Sequence, residues 1–166
     1  MITLERFTEN DFDRFIGWIE NEEQLIQFAG PLFKFPLTEI QLQSYLEQNK
    51  KVPYRIRLNE TKEIIGHCEL NYENAIPRLS RILIGDKNLR NKGIGKLIVK
   101  AMVDLVFQNP NCCAVDLSVF DWNASAIACY NQMGFVVRPD LITSMLVSGK
   151  TWNAYNMLLD KVNYLK

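Results

Sequence analysis

Apolar positions along the 166-residue chain recur at two periods, and each change of period marks an element. "ITLERFT", from Ile2, alternates as a strand does. "ENDFDRFIGWIENEEQLIQF" then sets Phe12, Phe15, Ile16 and Ile19 at helical spacing behind Asn10 or Asp11 as a cap, until "GPLFKFP" breaks the pattern. "LTEIQLQSYLEQN" restarts it, with Thr38 as N-cap and Ile40, Leu42, Tyr45 and Leu46 as the apolar side. From Pro53 the period shortens: "YRIRLNE" and "EIIGHCELNYE" read as antiparallel strands joined by a turn at Asn59 to Lys62, and "RLSRILIGD" as a third. Its Ile82-Leu83-Ile84 run suits a strand covered on both faces, and Gly85 at its end signals a bulge or a close approach to the backbone.

In "LRNKGIGKLIVKAMVDLVF", residues Leu89 to Phe107, the helical period returns. Ile94, Leu97, Ile98, Ala101, Met102 and Leu105 form one stripe, with Lys96, Lys100 and Asp104 on another face. "CCAVDLSVF" reads as a strand, "NASAIACYNQM" as a helix capped by Asn123 and ended by Gly134, and "TWNAYNMLLD" as a last strand. With no repeat, low-complexity stretch or linker, the reading is one domain over residues 1–166.

Composition narrows the function classes. The formal net charge is zero, so nothing attracts nucleic acid or an anionic membrane at long range. The charged start "MITLERFTEND" does not read as a signal peptide, and no apolar run approaches a membrane span, so a cytoplasmic location is expected. Cys68, Cys112, Cys113 and Cys129 lack metal-ligand spacing and there is one histidine, so no metal site is expected and the cysteines read as reduced, buried thiols.

A strand, a tight basic glycine loop and then a helix make a phosphate-binding arrangement, because unpaired N–H groups and the positive end of the helix dipole converge. A Walker loop is excluded: Arg90 stands where its first glycine would be, and Leu97 follows Lys96 where a magnesium-binding hydroxyl is needed. A dinucleotide loop is excluded by Ile98 at the position of its third glycine. The glycines alone leave a simple turn and an anion site both open.

Arg90-Asn91-Lys92-Gly93-Ile94-Gly95 fits the pattern [RQ]-x-x-G-x-[GA], and "DWNASAIACYNQMGF", Asp121 to Phe135, fits N-x-x-[AS]-x-x-x-Y-x-x-x-G-F. With both blocks in order, the chain resembles the acyl-CoA-dependent N-acetyltransferase (GNAT) superfamily, most closely from Leu79 to Val136. The resemblance implies an α/β (α+β) fold: a mixed, mostly antiparallel sheet of six to seven strands flanked by helices, with a central V-shaped splay. It implies acetyl-CoA as cosubstrate, without a metal.

Carried over by position, the resemblance puts the coenzyme pyrophosphate on the loop from Arg90 through Asn91, Lys92, Gly93, Ile94, Gly95 and Lys96. The pantetheine arm would pair with main-chain groups of Leu83, Ile84 and Gly85, although Gly85 replaces a commonly β-branched residue and Lys87 a frequent proline. Asn123 corresponds to the asparagine that contacts the arm, and Tyr130 to the tyrosine beside the sulfur. A phenol with pKa near ~10 is well matched to a departing thiolate near ~8.5.

The attacking amine, with pKa around ~10, must first lose a proton. Family members often place a glutamate on the strand before the asparagine, but Ser118 stands there, which leaves Glu69 as the expected general base and His67 as a weaker relay. Trp18, Phe28, Phe33 and Phe35 fall where the family builds its acceptor cleft, in a pattern similar to ribosomal-protein and polyamine N-acetyltransferases, and Glu20, Glu22 and Glu23 suit a cationic amine. Two classes remain. One is an enzyme acetylating a primary amine of a small molecule or of a peptide or protein N-terminus by direct attack on the thioester; the other is a non-catalytic acyl-CoA-binding module. A homodimer is compatible with either.

Overall fold

The computed structural model describes residues 1–164 and 166. One seven-stranded sheet runs through the molecule in the order β1-β2-β3-β4-β5-β7-β6. Its strands are β1 (Ile2–Arg6), β2 (Lys51–Leu58), β3 (Ile64–Asn71), β4 (Arg78–Ile84), β5 (Ala114–Phe120), β6 (Val136–Val147) and β7 (Lys150–Asp160). The helices are α1 (Phe12–Gly17), α2 (Glu22–Ala29), α3 (Glu39–Leu46), α4 (Ile94–Phe107), α5 (Ala124–Gln132) and α6 (Lys161–Tyr164). Among the described residues no helix is long and apolar enough to cross a membrane.

Among the described residues every strand pairing is antiparallel except β4 with β5, which is parallel and has two rungs, Arg78 to Asp116 and Leu79 to Leu117. Beyond them the two strands separate. A side-chain cluster from four strands holds the root of this splay. The Asp116 carboxylate accepts from Arg78 Nε at 2.7 Å, Arg78 Nη2 at 2.9 Å, Arg138 Nη2 at 2.8 Å and Asn156 Nδ2 at 3.0 Å. Hydrogen bonds to a charged group contribute about 1.5–3 kcal/mol each, so the two rungs are reinforced where main-chain pairing stops.

Two apolar clusters cover the sheet. Helix α4 packs on one face with Ile98, Val99, Met102, Val103 and Val106 buried against Leu79, Val115, Leu117 and Met157. On the other, Phe7, Phe12, Phe15, Leu25, Phe33, Leu42 and Tyr45 close over Leu83.

Several expectations change. The first helical run is two helices, because the chain turns at Trp18 and restarts at Asn21, whose side chain accepts the Gln24 N–H at 2.8 Å. The Gln24 amide bridges the break, donating to Trp18 O at 3.1 Å and accepting from Glu20 N at 2.8 Å. On α3, Leu42 and Tyr45 face inward while Ile40 is 81% exposed, since two residues along a helix turn a side chain through about 200°. The buried face of α4 lies about one residue from the expected stripe, with Val99, Val103 and Val106 inside and Leu97 half-exposed. Strand β6 has no counterpart among the expected elements. Pro139 and Asp140 interrupt its alternation, its register shifts between Arg138 and Thr143, and as an edge strand it is mostly exposed. Of the cysteines only Cys68 is fully buried, while Cys113, just ahead of β5, is exposed.

Candidate active site

Gly85 directly follows β4, and another residue occupies the place its side chain would take. A Cβ there would lie 2.1 Å from Trp18 Cε2, so the indole packs directly on the backbone. This meets the expectation of a close approach and makes Trp18 a wall of the splay. The Gly85 N–H is taken by Ile65 O at 2.8 Å, so strand alternation turns the main-chain groups of Ile84, rather than those of Leu83 or Gly85, toward the open side. Ile84 O accepts from Arg90 Nε at 3.0 Å and Nη2 at 2.8 Å. The Arg90 guanidinium thus ties the glycine loop to the strand end.

Beyond Arg90 the backbone enters the left-handed region twice, at Asn91 (φ 60°) and Gly93 (φ 81°), and Gly93 caps α4. Successive N–H groups of residues 91 to 96 find no acceptor among the described residues, the Cβ positions of Gly93 and Gly95 point into open space, and the exposed Lys92 and Lys96 make no ion pair. Such an arc of donors at the positive end of a 14-residue helix fits an anion, and it fits the coenzyme pyrophosphate.

The two glycines make opposite predictions. Gly93→Ala forces a side chain into the left-handed region and costs about 1–2 kcal/mol. Gly95→Ala replaces a helical glycine with room for a methyl group and adds about 0.5–1 kcal/mol. Urea unfolding checks both through the midpoint at constant slope. Equal effects at the two positions would contradict this loop geometry.

Asn123 caps α5, its Oδ1 accepting the Ala126 N–H at 3.3 Å, which leaves its Nδ2 available. Tyr130 lies two turns along on the same helix, half-buried beside Phe135, and its hydroxyl has no partner among the described residues. Burial pushes its pKa up to about 12. Ser118 is the exposed residue of β5, opposite Asn156 of β7.

Glu69 is placed differently from the base that was expected. It is 0% exposed, and both oxygens are occupied: Tyr45 Oη donates to Oε2 at 2.5 Å and Arg81 Nη1 to Oε1 at 2.6 Å. Burial raises its pKa, with the Arg81 charge and the Tyr45 bond opposing the rise. A base must reach the proton it takes, and this carboxylate is enclosed. His67, the expected relay, is enclosed as well. Fully buried among Phe7, Phe15 and Tyr45, it is pulled down to about pKa 4 and stays neutral, with Nδ1 3.0 Å from Arg81 O. Of the expected cleft aromatics, Phe33 is a core residue edge-on to Tyr45, Phe28 packs on Phe15, and Phe35 is exposed. Glu20 pairs with Lys87 at 2.7 Å.

A model described as the acetyltransferase (GNAT) family matches residues 21–135. The aminoglycoside N(6')-acetyltransferase type 1 of Klebsiella pneumoniae is 27% identical over 159 residues, covering 84% of this chain and 78% of that protein. The spermidine N(1)-acetyltransferase of Vibrio cholerae is 24% identical over 168 residues, covering 99% and 95%. The fold is shared with the crystal structure of spermidine N-acetyltransferase from Vibrio cholerae in complex with CoA and spermine, at a TM-score of 0.81 and 20% identity over 99% of this chain and 98% of that one.

Proposed function

The chain belongs to the GNAT acetyltransferase family, and from that premise we propose that it transfers an acetyl group from acetyl-CoA to a primary amine. The acceptor is an amine of a small molecule, as in the aminoglycoside and spermidine enzymes it is similar to, or a peptide N-terminus. The observation that carries the proposal is the arc of unbonded amides from residue 91 to 96 at the mouth of the β4–β5 splay.

Acetyl-CoA supplies the activated acyl group as a thioester that a neutral amine attacks directly. The C–N bond forms, the C–S bond breaks, the amine gives up a proton and the thiolate gains one. In this reading the N–H groups of Asn91 through Lys96 hold the pyrophosphate while Lys92 and Lys96 offset its charge. Ile84 N–H and Asn123 Nδ2 align the arm. Tyr130 Oη directs its proton at the sulfur. With Glu69 enclosed, the proton of the amine passes to solvent at the open face beside Ser118.

Acetyl-CoA at 100 times its Kd should add about 2.7 kcal/mol. For a chain of this size that raises the melting temperature by about 5–11 °C. An unchanged melting temperature at millimolar acetyl-CoA would sink the proposal, and free-thiol release in the presence of an amine separates an enzyme from a module that only binds.

A further inference from the structure

Two tryptophans and an unpaired carboxylate meet where the splay opens, and the transfer reading above uses none of them. Phe120 ends β5, Trp122 directly precedes Asn123, and Trp152 lies on β7 two residues before Ala154, the partner of Phe120. The rings of Phe120 and Trp122 stack at 5.9 Å with 5° between planes, and Trp152 stands edge-on to them at 5.0 and 5.1 Å. Asn21, Glu23, Gln24 and Gln27, from α2 and the residue that caps it, complete a recess of about 430 Å³ with Trp122 and Trp152. Helix α2 packs on β4. The recess is open to solvent and lies between α2, on the β4 side of the splay, and the β5–β7 side, where an acceptor would meet the thioester.

Its chemistry is selective. The Gln24 amide is engaged in the α1–α2 break and Asn21 Oδ1 caps α2. Asn21 Nδ2, the Gln27 carboxamide and the Glu23 carboxylate have no partner among the described residues. What remains is flat indole surface, carboxamide donors and acceptors, and one negative charge. A flexible chain with several ammonium groups would leave most of its charge unmatched here. A sugar ring offers a C–H face to an indole and hydroxyls to carboxamides, and one ammonium suits one carboxylate.

Building on the acetyltransferase reading, we propose that the acceptor is an amino sugar with at least two amino groups. Its ring face packs on Trp122 and Trp152, its hydroxyls meet Asn21 and Gln27, and one ammonium pairs with Glu23 while a second, neutral amine reacts.

The test is thiol release from acetyl-CoA with neamine, glucosamine, spermidine and an alanine-headed tripeptide as acceptors. Expected is a kcat/KM for neamine at least about tenfold above that for spermidine and the tripeptide. Trp122→Ala and Trp152→Ala should each raise the neamine KM about tenfold, the loss of one aromatic wall, with Trp152→Phe recovering most of it. Glu23→Gln should raise the KM for neamine more than that for glucosamine, and the KM for acetyl-CoA should not move in any of these. Trp122 is 46% exposed, so its removal spares the core, and melting temperatures are read alongside. A preference for spermidine or the tripeptide overturns the proposal, as does a neamine KM unchanged in all the variants. If acetyl-CoA still stabilises the protein in that case, the acetyltransferase reading stands; if it does not, that reading fails first.

Discussion

Tyr130→Phe lowers kcat by about 10- to 150-fold and leaves the KM for acetyl-CoA and the melting temperature nearly unchanged. The size follows from the environment of the phenol. Were its pKa near ~10, it would deliver a proton to a thiolate near ~8.5 at little cost, and its loss would remove the ~10²–10⁴ of general acid catalysis. Burial pushes it up to about 12 instead. Full transfer to a thiolate near ~8.5 is then further uphill than from an unshifted phenol. Donating a hydrogen bond to the developing thiolate carries no such penalty and contributes about 1.5–3 kcal/mol, which is the stated range. Because the hydroxyl has no partner among the described residues, its removal strands no buried group there, and stability should change by less than about 0.5 kcal/mol. The phenol also stays protonated through the assay range, so it should impose no loss of activity up to about pH 10. A loss beyond about 1,000-fold would mean that the proton is transferred. No loss at all would remove Tyr130 from the chemistry.

What could be read in the sequence was whatever is local to it. Arg90 to Gly95 and Asn123 to Tyr130 are single turns or single helices whose geometry depends on neighbours within a few positions, and both lie at the open end of the splay. Glu69 was legible as an inward-facing strand residue but not as an enclosed one. Tyr45 and Arg81, which enclose it, lie 24 and 12 residues away, and Arg81 reaches it from a β4 position with φ at +49°, next to a register shift. The bulge that sets this geometry leaves no mark in the hydrophobic pattern. The aromatic wall was missed for a similar reason. Phe120, Trp122 and Trp152 come together only because β5 and β7 pair, and Trp152 alone reads as one more strand residue. Edge strand β6 buries too little to alternate clearly.

Arg81→Met destabilises the protein by about 3–5 kcal/mol at pH 7, because it leaves the Glu69 carboxylate buried and uncompensated. For a chain of this length that is a fall of about 6–20 °C in melting temperature. The Nε of Arg81 is itself buried without a partner, so removing the side chain also relieves a cost, which favours the lower half of the range. The pH dependence has a definite sign. Burial already raises the folded pKa of Glu69 above its ordinary 4.5, and the Arg81 charge opposes that rise. Without Arg81 it rises further. The folded variant then holds a proton that the unfolded chain has released, so the contribution of this group is most favourable below about pH 4.5 and is lost as pH climbs through the folded pKa. The deficit should be largest at pH 7–8 and shrink toward pH 5. Combining Glu69→Gln with Arg81→Met removes the stranded charge and should recover most of the loss. An equal deficit at pH 5 and pH 8 would show that the pair is not what Arg81→Met disturbs. The double variant also decides the role of the carboxylate. If Glu69 only holds β3, β4 and α3 together, acetyl transfer per folded molecule stays within a few-fold; if it took the proton from the amine, the rate would fall by about 10²–10⁴.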